Sequence, residues 1–311
     1  MMKIVLLDTL TFGDTDLDCF GRFGDVEAYQ TTAPSETMER IQTADVIVTN
    51  KVVITEAMMI RCEVLRLICV AATGMNNVDL VAASKHGISV KNVSGYSTGS
   101  VVQHTFSMLF YLMGHARYYD DYVKSGKWQK SPVFTHLERP IFEVKGKTWG
   151  IIGLGEIGSG VARLATAFGA DVIYYSTSGH NANAQYHRVA LEALLQHSDI
   201  ISIHAPLNDE TKHLIGLSEL MQMKSGAVLL NLGRGGIVDE AALARVVDAR
   251  ELYVGLDVLE TEPMREGHPL LEVKHQERLY LTPHIAWASV EARERLVAMV
   301  CGNIQAFLEG K

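Results

Sequence analysis

At 311 residues the chain is long enough for two domains, each with its own core. Hydrophobic residues make up 48% and charged residues 21%, the balance of a soluble globular protein; the net charge of −8 excludes the basic face that a general binder of nucleic acids or anionic membranes needs. The four cysteines (Cys19, Cys62, Cys69, Cys301) have no CxxC or zinc-like spacing, and no run has the length of a signal segment or membrane span. The expectation is a cytoplasmic protein with reduced thiols, no metal site, no nucleic acid and no membrane as partner.

In chain order, short apolar runs at 3–7, 26–29, 46–49, 67–70 and 89–91 predict strands, and helical patterns fall near 35–43, 55–61 and 78–86. Strands and helices that alternate in this way make a parallel sheet buried on both faces. A long helical pattern follows over 99–124, then a polar loop carrying Trp128 and Phe134. Further strands are predicted at 171–175, 200–204, 227–232, 253–256 and 279–281, and residues 289–311 read as one amphipathic helix. The whole is two doubly wound α/β domains, with no flexible tether in the sequence to join them.

Between the two sets of strands lies Thr148-Trp-Gly-Ile-Ile-Gly-Leu-Gly-Glu-Ile-Gly158. An apolar strand runs into Gly153-x-Gly155-x-x-Gly158, and a helical pattern follows at Val161, Leu164, Ala165 and Phe168. That is the opening of a dinucleotide-binding unit. The first glycine permits the turn, the second lets backbone approach a pyrophosphate, and the third lets helix pack on strand. Glu156 and Ile157 begin the helix, whose free amides and dipole favour phosphate. The pattern normally ends, about twenty residues on, with an acid for the adenosine ribose. Eighteen residues past Gly158 stands Ser176 instead, in Tyr174-Tyr-Ser-Thr-Ser-Gly179. The expected cofactor is NAD, with NADP left open: no acid repels a 2′-phosphate, yet the only cations nearby are His180 and Arg188.

Several ordered blocks then carry a family resemblance: Ala72-Thr-Gly-Met-Asn-Asn-Val-Asp79, the glycine turn, His204-Ala-Pro-Leu207, Asn231-Leu-Gly-Arg-Gly-Gly-Ile-Val-Asp239, Leu256-Asp-Val-Leu-Glu-Thr-Glu-Pro263 and Pro283-His-Ile-Ala-Trp287. The chain resembles the D-isomer-specific 2-hydroxyacid dehydrogenases, and within them the glycerate dehydrogenase/hydroxypyruvate reductase group. The resemblance implies a Rossmann NAD-binding domain, residues 99–288, inserted into a flavodoxin-like substrate domain made of 1–98 plus 289–311, with the last helix folded back onto that substrate domain. It also implies a homodimer through the long helix after Gly99. The implied reaction interconverts hydroxypyruvate and D-glycerate, or glyoxylate and glycolate; D-lactate and D-3-phosphoglycerate dehydrogenases are the alternatives of the same class, and an NAD-sensing corepressor-like scaffold is the alternative that is not an enzyme.

The same resemblance distributes the roles. Arg234, set among Gly233, Gly235 and Gly236, becomes the guanidinium that grips a substrate carboxylate, for which a planar two-pronged donor is suited. His284 becomes the proton donor in reduction, and Glu262 its partner, with Glu260 the neighbouring alternative. Thr73, Gly74 and Met75 form the substrate loop. Thr73, Ala205, Leu232, Gly233, Asp257, His284 and Trp287 join the glycine turn as cofactor contacts, with Asp257 facing the nicotinamide carboxamide. Val102 and Gln103 are weaker candidates.

Overall fold

The computed structural model describes residues 2–180 and 183–310; Lys311, included in the predicted last helix, lies outside them. The chain divides into two compact units, Met1–Ser97 with Ala288–Lys311, and Thr98–Trp287.

The first unit holds five parallel strands: β1 (Lys3–Leu6), β2 (Asp25–Ala28), β3 (Val46–Thr49), β4 (Leu67–Val70) and β5 (Ser89–Lys91). They lie in the order β2-β1-β3-β4-β5. The central strands β3 and β4 are buried at every position, which is why their sequences, VIVT and LICV, show no alternation. The edge strand β2, DVEA, buries no residue. Helices α1 (Pro34–Ile41), α2 (Glu56–Met59) and α3 (Leu80–Lys85) connect the strands, and the Asp79 carboxylate caps α3 by accepting from the Ala82 amide.

The second unit begins where one helix is predicted over 99–124. It forms two, α4 (Thr98–Met113) and α5 (Ala116–Lys124). Between them His115 adopts a left-handed backbone, φ 46°, through which a right-handed helix cannot pass. The apolar surface ends at the same point: α4 buries seven side chains and α5 buries none. Seven parallel strands follow, β6 (Thr148–Ile152), β7 (Asp171–Tyr175), β8 (His187–Arg188), β9 (Ile200–Ile203), β10 (Ala227–Asn231), β11 (Leu252–Leu256) and β12 (Leu279–Leu281). Their order is β12-β11-β10-β9-β6-β7-β8, with helices α6 (Glu156–Ala167), α7 (Leu191–His197), α8 (Leu217–Gln222) and α9 (Glu240–Ala249) between them. Two apolar layers sandwich this sheet. One joins α7, α8 and α9; the other joins α4 and α6 around the fully buried Trp149, whose indole N–H donates to Ser202 Oγ at 2.9 Å.

The chain then returns to the first unit as α10 (Val290–Leu308), capped by the Ser289 hydroxyl and packed on β4. Arg295 Nε donates to Tyr96 O, and Asn303 Nδ2 donates to Asn92 O. This return corrects the expectation of four reduced thiols. Cys301 on α10 meets Cys19, 282 residues away in sequence, and the two form a disulfide, while Cys62 and Cys69 are free and buried. Spacing cannot reveal a pair that only the fold-back creates. Among the described residues no helix is long and apolar enough to cross a membrane, and no acid, histidine or cysteine cluster is suited to a metal ion.

Candidate active site

The strand order reverses between β9 and β6, and there the glycine turn sits. Gly153 has φ 89°, and a Cβ on it would come 2.8 Å from the Ala205 amide nitrogen. One on Gly158 would come 2.2 Å from Gly153 O, and one on Gly233 would come 2.9 Å from Ala205 O. The ends of β6, β9 and β10 thus converge as bare backbone. Gly155, by contrast, faces open space and precedes the first turn of α6, whose amides have no helical acceptor. A pyrophosphate fits these groups. Of the neighbouring contacts named from sequence, Glu156 accepts from Thr98 Oγ1 at 3.0 Å, Ile157 packs on the α4–α6 layer, and Ala205 and Leu232 are buried. Val102 does something else: its Cγ2 lies 2.8 Å from where a Gly160 Cβ would stand, so it packs α4 on α6. Gln103 is exposed.

At the end of β7, Ser176 is 3% exposed and its hydroxyl has no hydrogen-bond partner among the described residues. No carboxylate occurs between Asp171 and Glu192. Arg188, on β8, reaches back over this tip and donates to Gly179 O at 2.8 Å.

The opposite end of the sheet is densely bonded. Asp257, just past β11, is 2% exposed. Its Oδ1 accepts from Thr282 Oγ1 (2.6 Å) and from the Ile285 amide (2.8 Å), and its Oδ2 accepts from the Ala286 amide (2.9 Å). Its carboxylate thus holds the 282–286 loop through three hydrogen bonds. That loop needs holding, because His284 has φ 55°, a left-handed conformation unfavourable for a side chain larger than glycine by roughly 1–3 kcal/mol. The His284 amide closes the loop by donating to Asp257 O at 2.8 Å.

So held, the His284 Nδ1 lies 2.6 Å from Glu262 Oε2, and Glu262 Oε1 accepts from the Leu259 amide at 3.0 Å. Nδ1 therefore carries the hydrogen shared with the carboxylate, and Nε2, with no partner among the described residues, is the nitrogen left for a reacting group. Glu262, not Glu260, is the partner of His284; the Glu260 carboxylate lies 3.5 Å from His213. His104, on α4, was not marked by any sequence motif. Its Nε2 donates to Thr282 Oγ1 at 3.2 Å, and burial holds the imidazole below its usual pKa.

Arg234 follows Asn231, whose side chain fixes the turn: Oδ1 accepts from the Gly233 amide and Nδ2 donates to Arg234 O. The guanidinium is exposed, and its Nη1 donates to Gly233 O at 2.8 Å. A Cβ on Gly235 would fall 1.8 Å from Leu259 O, so the Arg234 turn and the loop bearing Glu262 are in direct backbone contact. Arg234, Glu262 and His284 are therefore brought to one corner of the sheet. Trp287 is half-buried against the α4 layer.

In the first unit, the loop after β4 is fixed from β5. Thr73 Oγ1 donates to Val93 O, Asn92 Nδ2 donates to Thr73 O, and Met75 packs on the core beside Val78. The same unit carries a cavity of about 430 Å³ at the ends of β1 to β3, lined by Asp8, Gln30, Thr32 and Lys51, that no motif announced.

Residues 106–286 match the family described as D-isomer specific 2-hydroxyacid dehydrogenase, NAD binding domain. The chain is 35% identical to a hydroxypyruvate reductase of Blautia hydrogenotrophica, over 99% of this chain and 98% of that one. It is 36% identical to a glycerate dehydrogenase of Methylorubrum extorquens, over 99% and 97%. Among solved structures it is similar to D-lactate dehydrogenase from Aquifex aeolicus complexed with NAD and lactic acid, with a TM-score of 0.84, 28% identity, and coverage of 99% of this chain and 96% of that one.

Proposed function

Since the chain belongs to the family of D-isomer-specific 2-hydroxyacid dehydrogenases, we propose that it interconverts hydroxypyruvate and D-glycerate. Both full-length relatives named above carry that activity in their names. The small residues Ala71, Ala72 and Gly74 suit a short substrate. The observation that carries the chemistry is the His284–Glu262 contact at 2.6 Å.

In this reading Arg234 holds the substrate carboxylate with the guanidinium nitrogens not bonded to Gly233. Thr73, Gly74 and Met75 are the substrate loop that the family resemblance implies. The bound nicotinamide supplies the hydride that adds to C2 of the oxo acid. As the C2–O bond gains electrons, His284 Nε2 delivers its proton to that oxygen, and Glu262 stabilises the imidazolium beforehand while fixing the ring. The oxidation runs the same proton back to Nε2. Asp257 acts through the loop, by holding His284 in its left-handed conformation.

We further propose a cytoplasmic homodimer built on α4, α5 and the following loop. Phe134 (89% exposed), Leu137 and Phe142 leave an apolar surface there that a second copy would cover. The Cys19–Cys301 disulfide pulls against a reducing compartment. The test of the reaction is direct: purified protein is mixed with NADH or NADPH and a panel of 2-oxo acids, and absorbance at the nicotinamide band is followed. Fastest turnover with hydroxypyruvate supports the reading, and faster turnover of pyruvate would move the assignment to D-lactate. Cofactor binding with no turnover on any acid would end it.

A further inference from the structure

The loop that carries Glu262 is gripped from outside the reacting group. Glu240 is the first residue of α9, and its side chain is 10% exposed. Its Oε1 accepts from the Glu260 amide at 2.6 Å, and its Oε2 lies 2.8 Å from His268 Nε2. The His268 Nδ1 accepts from the Leu270 amide, so the ring hydrogen is on Nε2 and points at Glu240. One carboxylate thus ties residue 260 and residue 268, the two sides of the segment containing Glu262. The third restraint is steric: the Leu259–Glu260 backbone lies on Gly235, where a Cβ would be 1.8 Å from Leu259 O. The base of the clamp is rigid, because α9 is capped by Asp239, whose Oδ1 accepts from the Ala242 amide. Glu262 itself is half-exposed, and its Oε1 accepts from the amide of Leu259, three residues earlier in the same loop.

We propose that Glu240 and His268 are positioning residues for the proton transfer, setting the place of Glu262 against His284 without touching substrate or cofactor. The idea rests on the reaction proposed above for its kinetic arm only. On the loop side, the carboxylate of Glu260, whose amide the clamp holds, lies 3.5 Å from the His213 ring.

The test pairs kinetics with a measurement on the resting protein. Glu240→Ala and the closer mimic Glu240→Gln, which keeps an acceptor for Glu260 but sets an amide donor against His268, are compared with His268→Leu and His268→Gln. The Gln at 268 can still donate to Glu240 and should restore function. Loss of the clamp is expected to lower kcat by on the order of tenfold to a hundredfold, with KM for the oxo acid and the dissociation constant for NADH within about twofold. In a Glu262→Gln background the Glu240 substitution should add nothing. Independent multiplication of the two effects would overturn the proposal. Without any turnover, proton NMR of the His284 ring decides. The downfield Nδ1–H resonance that reports the Glu262 contact should be lost in Glu262→Gln, weakened in Glu240→Ala and Glu240→Gln, and kept in His268→Gln. If it stays unchanged in the Glu240 variants while they remain folded by circular dichroism, the clamp does not position Glu262. An inactive wild type with the resonance pattern intact would remove the reaction assigned here and leave the clamp standing.

Discussion

At the β11–β12 end of the seven-stranded sheet, both carboxylate oxygens of Asp257 and both of Glu262 have named partners, and a strained histidine is held between them. At the β7–β8 end, Ser176 Oγ is buried without a partner among the described residues, and the acidic residue that normally closes a dinucleotide site is missing. The same parallel sheet supports both ends, so the contrast lies in what each loop must do. Proton transfer needs one nitrogen held at one place, and that place is over-determined by hydrogen bonds. Recognition of an adenosine ribose tolerates several groups, so the β7 end can change its residues without disturbing the strand beneath it.

The sharpest way to break the comparison is at His284. Replacement by Ala should lower kcat by about a thousandfold while NADH binding, measured by fluorescence titration, is retained. Near-normal kcat would show that the dense end of the sheet does not carry the chemistry. Next in size is Asp257→Ala, which leaves the Ile285 and Ala286 amides and the Thr282 hydroxyl without their acceptor in a buried site. The expected cost is about 3 kcal/mol in urea unfolding, together with a large loss of kcat as His284 is released. A stable variant with unchanged kcat would mean the loop holds itself.

The sparse end predicts tolerance. By calorimetry 2′,5′-ADP should bind the wild type no more weakly than 5′-AMP, because no carboxylate at the tip of β7 repels the extra phosphate. Ser176→Asp should then weaken 2′,5′-ADP by about tenfold and leave 5′-AMP within about twofold, since a like charge placed within several ångströms costs on the order of 1–2 kcal/mol. Strong preference of the wild type for 5′-AMP would show that some other group at this end already rejects phosphate.

The contrast also explains what could be read from sequence. The strands, the glycine turn and the last helix were legible because each leaves a pattern in adjacent residues: an apolar run, a GxGxxG, an amphipathic tail; the fold-back of that helix came from the family resemblance alone. Arg234, Glu262 and His284 were legible as members of blocks. Their supports were not. His104 comes from α4 and Glu240 from α9, and each touches residues 20 or more positions away. The Cys19–Cys301 pair has the same character, and so does the break at His115, where one left-handed residue ends a helix that the composition would continue. Local pattern specifies elements; contacts between distant elements specify the restraint on a site.

The last predicted effect, confined to acid pH, concerns His204, between the two ends, in the block that follows β9. Part of the residue reaches solvent, but its Nδ1 is buried without a partner among the described residues, its Nε2 lies 3.0 Å from Ser202 Oγ, and burial pushes its pKa down to about 3. In the unfolded chain the ring titrates near 6.5. Above that value both states are neutral at this site and nothing depends on pH. As pH falls below it, the unfolded chain takes up a proton that the folded protein refuses, so stability declines from pH 6.5 toward pH 3 by at most about 1.4 kcal/mol per pH unit. His104, also held down by burial, contributes with the same sign, and the carboxylates join at the acid end. The difference between wild type and His204→Gln isolates the single site: the variant's urea midpoint should fall less steeply between about pH 6.5 and 5. Equal slopes in that interval would show that His204 is protonated in the folded protein, and that the β9 loop opens to let water reach it.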